Sequence, residues 1–249
     1  MIWRVYSLGF WIFLFVSSVI LFPLAVLIWA VTSPFDGRKR LLHRFTCFWA
    51  SLYTWFNPAW PVTVVGRDKA RQSRATIMVA NHLSLLDILV LFRAFLHFKW
   101  VSKIEVFRVP FIGWNMSLNG YIKLRRGDRA SVVQMLEGCE KALAGGNSIM
   151  MFPEGTRSPT GKMRDFKPGA FEIAIRTRTP IQPILIQGTA DALPKRGFVL
   201  RGRHPIRVTF LDPIPPESFA HLSPDELARQ VHGLMGKTLA ELESYGVRS

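Results

Sequence analysis

Asn81-His82-Leu83-Ser84-Leu85-Leu86-Asp87 decides how the rest of the chain is read. It follows the apolar run Thr76-Ile77-Met78-Val79-Ala80, where β-branched and aliphatic residues without charge indicate a short buried strand. Ser84 reads as a helix N-cap, with Asp87 in the N3 place of a capping box and an apolar run starting at Ile88. The heptapeptide is therefore expected to form a strand-to-helix turn, a place where side chains converge on solvent or substrate.

His82 and Asp87 admit two readings. In one, Asp87 only caps a helix and offsets its dipole, and His82 is an ordinary turn residue. In the other they form a pair. On one regular helix, residues five apart point about 140° away from each other, so they meet only if His82 precedes the helix. A carboxylate bonded to one imidazole nitrogen sets the tautomer and leaves the other nitrogen as a base. That is two members of a triad without a protein nucleophile, a role open to a substrate hydroxyl.

Outward from this turn, strands are expected near Val62–Val65, Thr76–Ala80, Lys99–Ser102, Tyr121–Leu124, Ser148–Phe152, Pro183–Gln187 and Ile206–Phe210. Helices are expected near Leu85–Leu96, Ser131–Ala144, Ala170–Arg176 and Pro224–Tyr245. Ser223-Pro224-Asp225-Glu226 starts the last of them with a cap, a proline at N1 and a glutamate at N3. Alternation of this kind argues for an α/β fold, a mostly parallel sheet flanked by helices. The segment Val106–Trp114 mixes aromatics, Pro and Gly and reads as a loop on a membrane surface or as core packing.

The N-terminal quarter differs. Residues Val5–Thr32 carry no charge and are long enough to cross a bilayer. A signal peptide is the rival, but the stretch is too long and no Ala-x-Ala site follows. Pro23 is tolerable there if neighbours satisfy the freed carbonyl. Arg38-Lys39-Arg40, with His43 and Arg44, flanks the stretch on what basic residues mark as the cytoplasmic side. Phe45–Trp60 is apolar and aromatic but short for a span, which favours a re-entrant or interfacial helix. Residues 1–60 are accordingly expected to form a hydrophobic helical hairpin that anchors the chain, spanning the bilayer or resting in one leaflet, and 61–249 the α/β domain.

Composition narrows the partners. Among 249 residues, 32 Lys+Arg stand against 17 Asp+Glu, a net charge of +15. Such an excess suits nucleic acid, an anionic membrane or an acidic substrate. A hydrophobic fraction of 49%, with 19 Phe and 8 Trp, favours the membrane interface over nucleic acid. Cys47 and Cys139 form no framework and no metal-ligand spacing, and read as reduced structural residues.

Two further loops follow predicted strands. Gly120–Arg129 carries Lys123 and then Arg125-Arg126 before Gly127. Arginine forks grip phosphate oxygens in pairs and lysine acts as a point charge, although a basic loop alone is commonly a solvated face. Phe152-Pro153-Glu154-Gly155-Thr156-Arg157-Ser158 ends another apolar strand, with Lys162, Arg164 and Lys167 extending the positive field. Glu154 is placed to orient Arg157 or to bond a substrate hydroxyl. In open parallel sheets ligands sit beyond the carboxyl ends of strands, so the three loops are expected to line one cleft.

Asn81-His82-x-x-x-x-Asp87, the Gly120…Arg126 block, Phe152–Arg157 and Pro180-Ile181-Gln182-Pro183 together resemble the four sequence blocks of the glycerolipid acyltransferases, most nearly the bacterial 1-acylglycerol-3-phosphate (lysophosphatidate) enzymes. The resemblance covers about residues 60–215, with a two-helix hydrophobic element ahead of it as in that family. It implies a membrane-associated enzyme, at the bacterial inner membrane with its site on the cytoplasmic side. The implied reaction moves a fatty acyl group from acyl-CoA or acyl carrier protein, as co-substrate, to the 2-hydroxyl of lysophosphatidate. His82 would be the base and Asp87 its orienter. Arg126 and Arg157 would hold the glycerol phosphate with Lys123 and Arg125 as helpers, and Glu154, Gly155 and Thr156 would shape the pocket. The Ile181–Pro183 block would wall the acyl chain or thioester. No cofactor and no metal are implied. Family members often place an acidic residue where this chain has Arg125, which leaves another lysolipid acceptor open.

Rivals from other classes explain less. A non-enzymatic basic protein bound to anionic membranes or nucleic acid accounts for the charge but not for the His82/Asp87 and Glu154/Arg157 loops. A lipid hydrolase using water at the same site would lack the usual nucleophile, since no Gly-x-Ser-x-Gly elbow occurs in the chain.

Overall fold

A computed structural model describes residues 2–70, 74–193, 199–200 and 202–246. Its centre is a seven-stranded sheet: β1 (Val62–Val65), β2 (Ile77–Ala80), β3 (Phe98–Lys103), β4 (Ile122–Leu124), β5 (Ser148–Met151), β6 (Ile181–Gln187) and β7 (Ile206–Phe210). The spatial order is β1-β7-β6-β2-β5-β3-β4. Every pairing is parallel except that of β6 with β7. The expected mostly parallel α/β fold is what forms.

Period-two alternation sends the strand residues into two cores. Met78, Ala80, Met150, Ile184 and Ile186 enter the first, together with Leu86 and Val90 of α3 (Leu86–Phe92) and Leu42, Trp49 and Tyr53 of α2 (Arg40–Trp55). Ile77, Val79, Ile149, Met151 and Leu185 enter the second, which α5 (Arg129–Ala144), α6 (Gly169–Thr177) and α8 (Pro224–Gly246) cover. Strands buried on both faces explain why they read as unbroken apolar runs.

α1 (Ile2–Thr32) is long and apolar enough to cross a membrane by length and composition. Its 31 residues extend for about 46 Å at 1.5 Å each. Only Ser7, Phe10, Ser18 and Ala25 are buried, along a strip facing the protein. Tyr6 donates to Asn57 Oδ1 at 2.6 Å, and Phe10 meets Trp60 edge-on. Ile12, Phe15, Val16, Ile20, Leu24 and Leu27 remain exposed.

Three local expectations change. The helix after His82 ends at Phe92 rather than Leu96, because Phe95 turns left-handed (φ 51°) to let the chain enter β3. The Val106–Trp114 segment is not a plain loop. It contains a tight turn over Ile104–Arg108 and starts the short helix α4 (Ile112–Leu118), which its Pro and aromatic content disguised. Gly113 is required there: a Cβ would lie 2.4 Å from the Phe107 carbonyl carbon. The aromatic segment after the basic run forms α2, with Leu42, His43, Cys47, Trp49 and Tyr53 buried between α1 and α3. Leu41, Phe48 and Trp55 are the exposed strip left to an interface.

Candidate active site

The parallel register of β2 with β5 matches Ile77 to Ile149 and Val79 to Met151. Extended beyond the strand ends, it sets His82 beside Glu154. The His82 N–H donates to Glu154 Oε1 at 2.6 Å, and the Ser158 N–H donates to the His82 carbonyl at 2.9 Å. The loop after β5 therefore clamps the His82 backbone from both ends of the residue. The imidazole stacks on Phe152 with centroids 3.9 Å apart and planes 8° from parallel.

His82 Nδ1 lies 2.8 Å from Asp87 Oδ2. A carboxylate can only accept here, so Nδ1 carries the hydrogen and Nε2 keeps its lone pair. Asp87 is fully buried, and its Oδ2 also accepts the N–H groups of Leu83 (2.7 Å) and Ser84 (2.8 Å). Helix capping and histidine orientation are thus two functions of one carboxylate. The serine departs from the expected capping box: its hydroxyl accepts from the Leu86 N–H at 3.2 Å and donates to the Leu193 carbonyl at 2.6 Å. With no exposure, it is a brace.

Strand β6, on the other side of β2, completes the arrangement. Asn81 extends the sheet ladder with its side chain, donating to the Ile186 carbonyl at 2.9 Å and accepting the Ile186 N–H at 2.8 Å. Thr189, in the short helix α7 (Thr189–Ala192), donates its hydroxyl to Asp87 Oδ1 at 2.5 Å. Sequence reasoning missed Thr189. The signal available was Gly188-Thr189 directly after an apolar strand, and nothing local linked it to a residue 102 positions earlier.

Glu154 is buried, and its two oxygens accept the N–H groups of His82 and, at 3.0 Å, Arg164. Burial pushes its carboxyl up to about 7, helped by the nearby Asp87 charge and opposed by the two backbone donors. Gly155 needs its positive φ of 71° for the chain to turn beneath the Lys167 side chain. Thr156 and Arg157 are half-buried on the same loop. A cavity of about 580 Å³ opens beside it, lined by Glu154, Met163, Arg164, Phe166 and Lys167 among others. It unites a polar floor with two cationic side chains at the carboxyl end of β5.

Lys123, Arg125 and Arg126 lie at the same end of the sheet but further out. β4 is three strand positions from β2, about 14 Å at ~4.8 Å per position. All three side chains are exposed, and Lys123 Nζ sits 5.2 Å from the centre of the Phe107 ring. Asp128, next to them, caps α5 through the Ser131 N–H at 3.1 Å. Among the described residues no group of three or more metal-ligating side chains converges.

Comparison with known proteins fits this geometry. The sequence profile of the Acyltransferase family matches residues 61–187, half of the chain. The chain belongs to that family. The matched span of this chain includes the His82/Asp87 turn, the Arg125-Arg126 loop and the Glu154–Arg157 loop, while Thr189 lies just beyond it. The 1-acyl-sn-glycerol-3-phosphate acyltransferase of Chlamydomonas reinhardtii is 38% identical over 183 residues, 73% of this chain and 52% of that protein. A chloroplastic enzyme of the same description from Arabidopsis thaliana is 35% identical over 204 residues, 81% of this chain and 55% of that one. The Saccharomyces cerevisiae enzyme is 37% identical over 186 residues, 73% and 60% respectively. The matches thus span about half to three fifths of these relatives. The crystal structure of the 1-acyl-sn-glycerophosphate (LPA) acyltransferase from Thermotoga maritima superposes with a TM-score of 0.76 at 23% identity, covering 97% of this chain and 98% of that one. That likeness establishes the shared fold, including the N-terminal helices.

Proposed function

We propose that this acyltransferase moves a fatty acyl group from an acyl thioester to the 2-hydroxyl of lysophosphatidate, producing phosphatidate. The observation that carries the reading is the His82–Asp87 pair: an imidazole fixed at Nδ1, with Nε2 left as a base and the neighbouring Ser84 hydroxyl already engaged. His82 Nε2 takes the proton of the acceptor hydroxyl as its oxygen attacks the thioester carbonyl. The tetrahedral oxyanion collapses, the C–S bond breaks, and the thiolate leaves with the proton returned by His82. Products are phosphatidate and free CoA or carrier-protein thiol. Asp87 keeps the Nδ1 hydrogen and stabilises the transient imidazolium.

Several positive groups support a phosphate-bearing acceptor. Arg157, Arg164 and Lys167 stand on the loop beside His82, with Arg125-Arg126 further out after β4 at the same end of the sheet. The cavity next to Glu154 is the room for the glycerol phosphate. Membrane attachment rests on α1, whose apolar surface is largely exposed along its length. A different lysolipid acceptor is the second reading, left open by Arg125, whose extra positive charge is itself compatible with a phosphate acceptor. Nucleic acid has no part in either reading.

The test is acyl transfer by purified protein in detergent or vesicles, supplying labelled acyl-CoA or acyl carrier protein. Lysophosphatidate is compared with lysophosphatidylcholine and lysophosphatidylethanolamine, each with wild type and His82→Ala. Labelled phosphatidate from lysophosphatidate alone, lost in the variant, is expected. Product only from a neutral headgroup would replace the acceptor and keep the base. Absence of any His82-dependent product from either donor would overturn the mechanism.

A further inference from the structure

A second basic cavity lies away from His82. Its volume is about 580 Å³, and Arg40, His43, Arg44, Arg67, Phe95 and His97 line it. β1 runs parallel to β7, and β7 antiparallel to β6, so Gly66-Arg67 emerges where β2, β3 and β5 begin. His97 directly precedes β3. The cavity is therefore at the opposite end of the sheet from His82, about 20 Å away along a six-residue strand. It is no part of the cleft described above.

Its chemistry is one-sided. Among the described residues, none of Arg40, Arg44 and Arg67 forms an ion pair with a carboxylate. Asp36 is the acidic group facing this region from the α1–α2 turn, and its Oδ2 already accepts the Leu41 N–H at 2.8 Å. Among the described residues, Arg67 Nε and His97 Nδ1 are buried atoms with no hydrogen-bond partner. Buried polar atoms are nearly always satisfied, so Arg67 Nε, a donor, calls for a missing acceptor, whereas His97 Nδ1 carries a lone pair and calls for a donor such as a hydroxyl on the ligand's organic body. The His97 ring is otherwise fixed, its Nε2 donating to Asn147 Oδ1 at 2.9 Å. Burial first, then Lys99 and Arg40, hold His97 down to about 4, which leaves the guanidinium groups to carry the positive charge.

The walls are built. His43, almost fully buried, is held by the Leu96 carbonyl at Nε2 and the Tyr121 hydroxyl at Nδ1 (both 2.9 Å). Phe95 is one of four non-glycine residues with positive φ among the described residues and stacks on Trp55, which in turn lies under the Arg93 guanidinium. A bulky residue held left-handed needs its surroundings to over-determine it.

We propose that this cavity is a second phosphate-binding site, in which Arg40 and Arg44 at the rim and Arg67 within grip a phosphate group carried on a larger organic body. Three unpaired guanidiniums match phosphate oxygens bidentately, and the volume is that of a site for a whole small ligand. Two sources share this chemistry: the headgroup of an anionic phospholipid, and a soluble phosphate ester.

The experiment titrates the full-length protein in detergent with dihexanoyl phosphatidate and, separately, with adenosine 3′,5′-bisphosphate. Binding is followed by calorimetry, and hydrogen exchange over residues 40–44 and 93–97 locates it. Wild type, Arg157→Gln, Arg67→Gln and the double variant Arg40→Gln/Arg44→Gln are compared. Arg157→Gln weakens the catalytic cleft, so binding that persists there reports the second site. The double variant changes only exposed rim residues and remains informative if Arg67→Gln misfolds. The expected result is binding of at least one probe that survives Arg157→Gln, protects 40–44 and 93–97, and weakens about tenfold or more in the double variant. Binding of the lipid probe alone assigns a phospholipid headgroup; binding of the bisphosphate alone assigns a soluble phosphate ester. Absence of both, indifference to the rim substitutions, or protection confined to residues around His82 overturns the proposal. None of these outcomes depends on the acceptor assigned at His82.

Discussion

Thr189 Oγ1 donates to Asp87 Oδ1 at 2.5 Å, gripping the carboxylate oxygen that faces away from His82. The hydroxyl arrives from the end of β6, so Asp87 is locked between the turn after β2 and the next strand. Replacing Thr189 by Ala leaves that buried oxygen unpaired, at a cost of about 1–3 kcal/mol. Thr189 is a positioning residue, and its variants are expected to lower kcat more than they raise KM. Thr189→Ser should recover most of the rate, whereas the isosteric Thr189→Val should not. Equal recovery by both would reduce Thr189 to a packing role.

Asp87→Asn keeps the shape of the turn but presents an amide where four donors converge. The imidazole loses its partner for Nδ1–H and its fixed orientation. A fall of about 10²–10⁴ in kcat is expected, the range of a general-base contribution. Circular dichroism and thermal melts confirm that the variant is folded. A well-folded variant with near wild-type turnover would remove Asp87 from the mechanism.

Glu154 links pH to stability. Its carboxyl is raised from 4.5 to about 7. The folded protein therefore holds a proton that the unfolded chain has released between those values. The contribution is fully present below about 4.5 and is lost as pH rises through about 7. Thermal melts of Glu154→Gln across this window should show a flatter dependence on pH than wild type, at lower overall stability because one backbone N–H loses its acceptor. An unchanged slope would assign the titration elsewhere.

Gly155→Ala forces a Cβ into the left-handed region and to within 3.0 Å of the Lys167 Cε atom. The backbone term is about 1–2 kcal/mol, and the lysine chain must shift. The loop carries Thr156 and Arg157, so the KM for the lysolipid acceptor should rise, together with a fall of about 2–8 °C in the melting temperature. Steady-state kinetics at varied acceptor concentration separates the two.

Phe171→Ala serves as the contrast. Phe171, on α6, is fully buried in the second core, with no atom of its own lining the cavity beside Glu154. A loss of about 3–5 kcal/mol is expected, with turnover per folded molecule preserved. Denaturant unfolding and active-site titration check both halves.

Much of this architecture is legible along the chain. Short charge-free runs such as Thr76–Ala80 and Ser148–Met151 identify strands covered on both faces, since a polar residue there would be stranded in a core. The cap-rich start Ser223–Glu226 marks α8 for an equally local reason: the Glu226 carboxylate accepts the Ser223 N–H at 2.8 Å. Boundaries failed where distant packing won. Phe95 ends α3 early because the chain must reach β3, and α4 forms because Gly113 lets its backbone approach the Phe107 turn.

The site divides in the same way. His82 and Asp87 are visible as a pair because they lie five positions apart across turn chemistry, and the basic loops are visible as charge. Their juxtaposition is a property of strand order. Placing β5 and β6 on either side of β2 sets Glu154 under the His82 amide and Thr189 against Asp87, and puts Arg125-Arg126 three positions away. Local patterning depends on which face of an element is buried, which each short segment encodes. Contacts between residues 72 or 102 positions apart depend on sheet register, which forms only when the whole core closes.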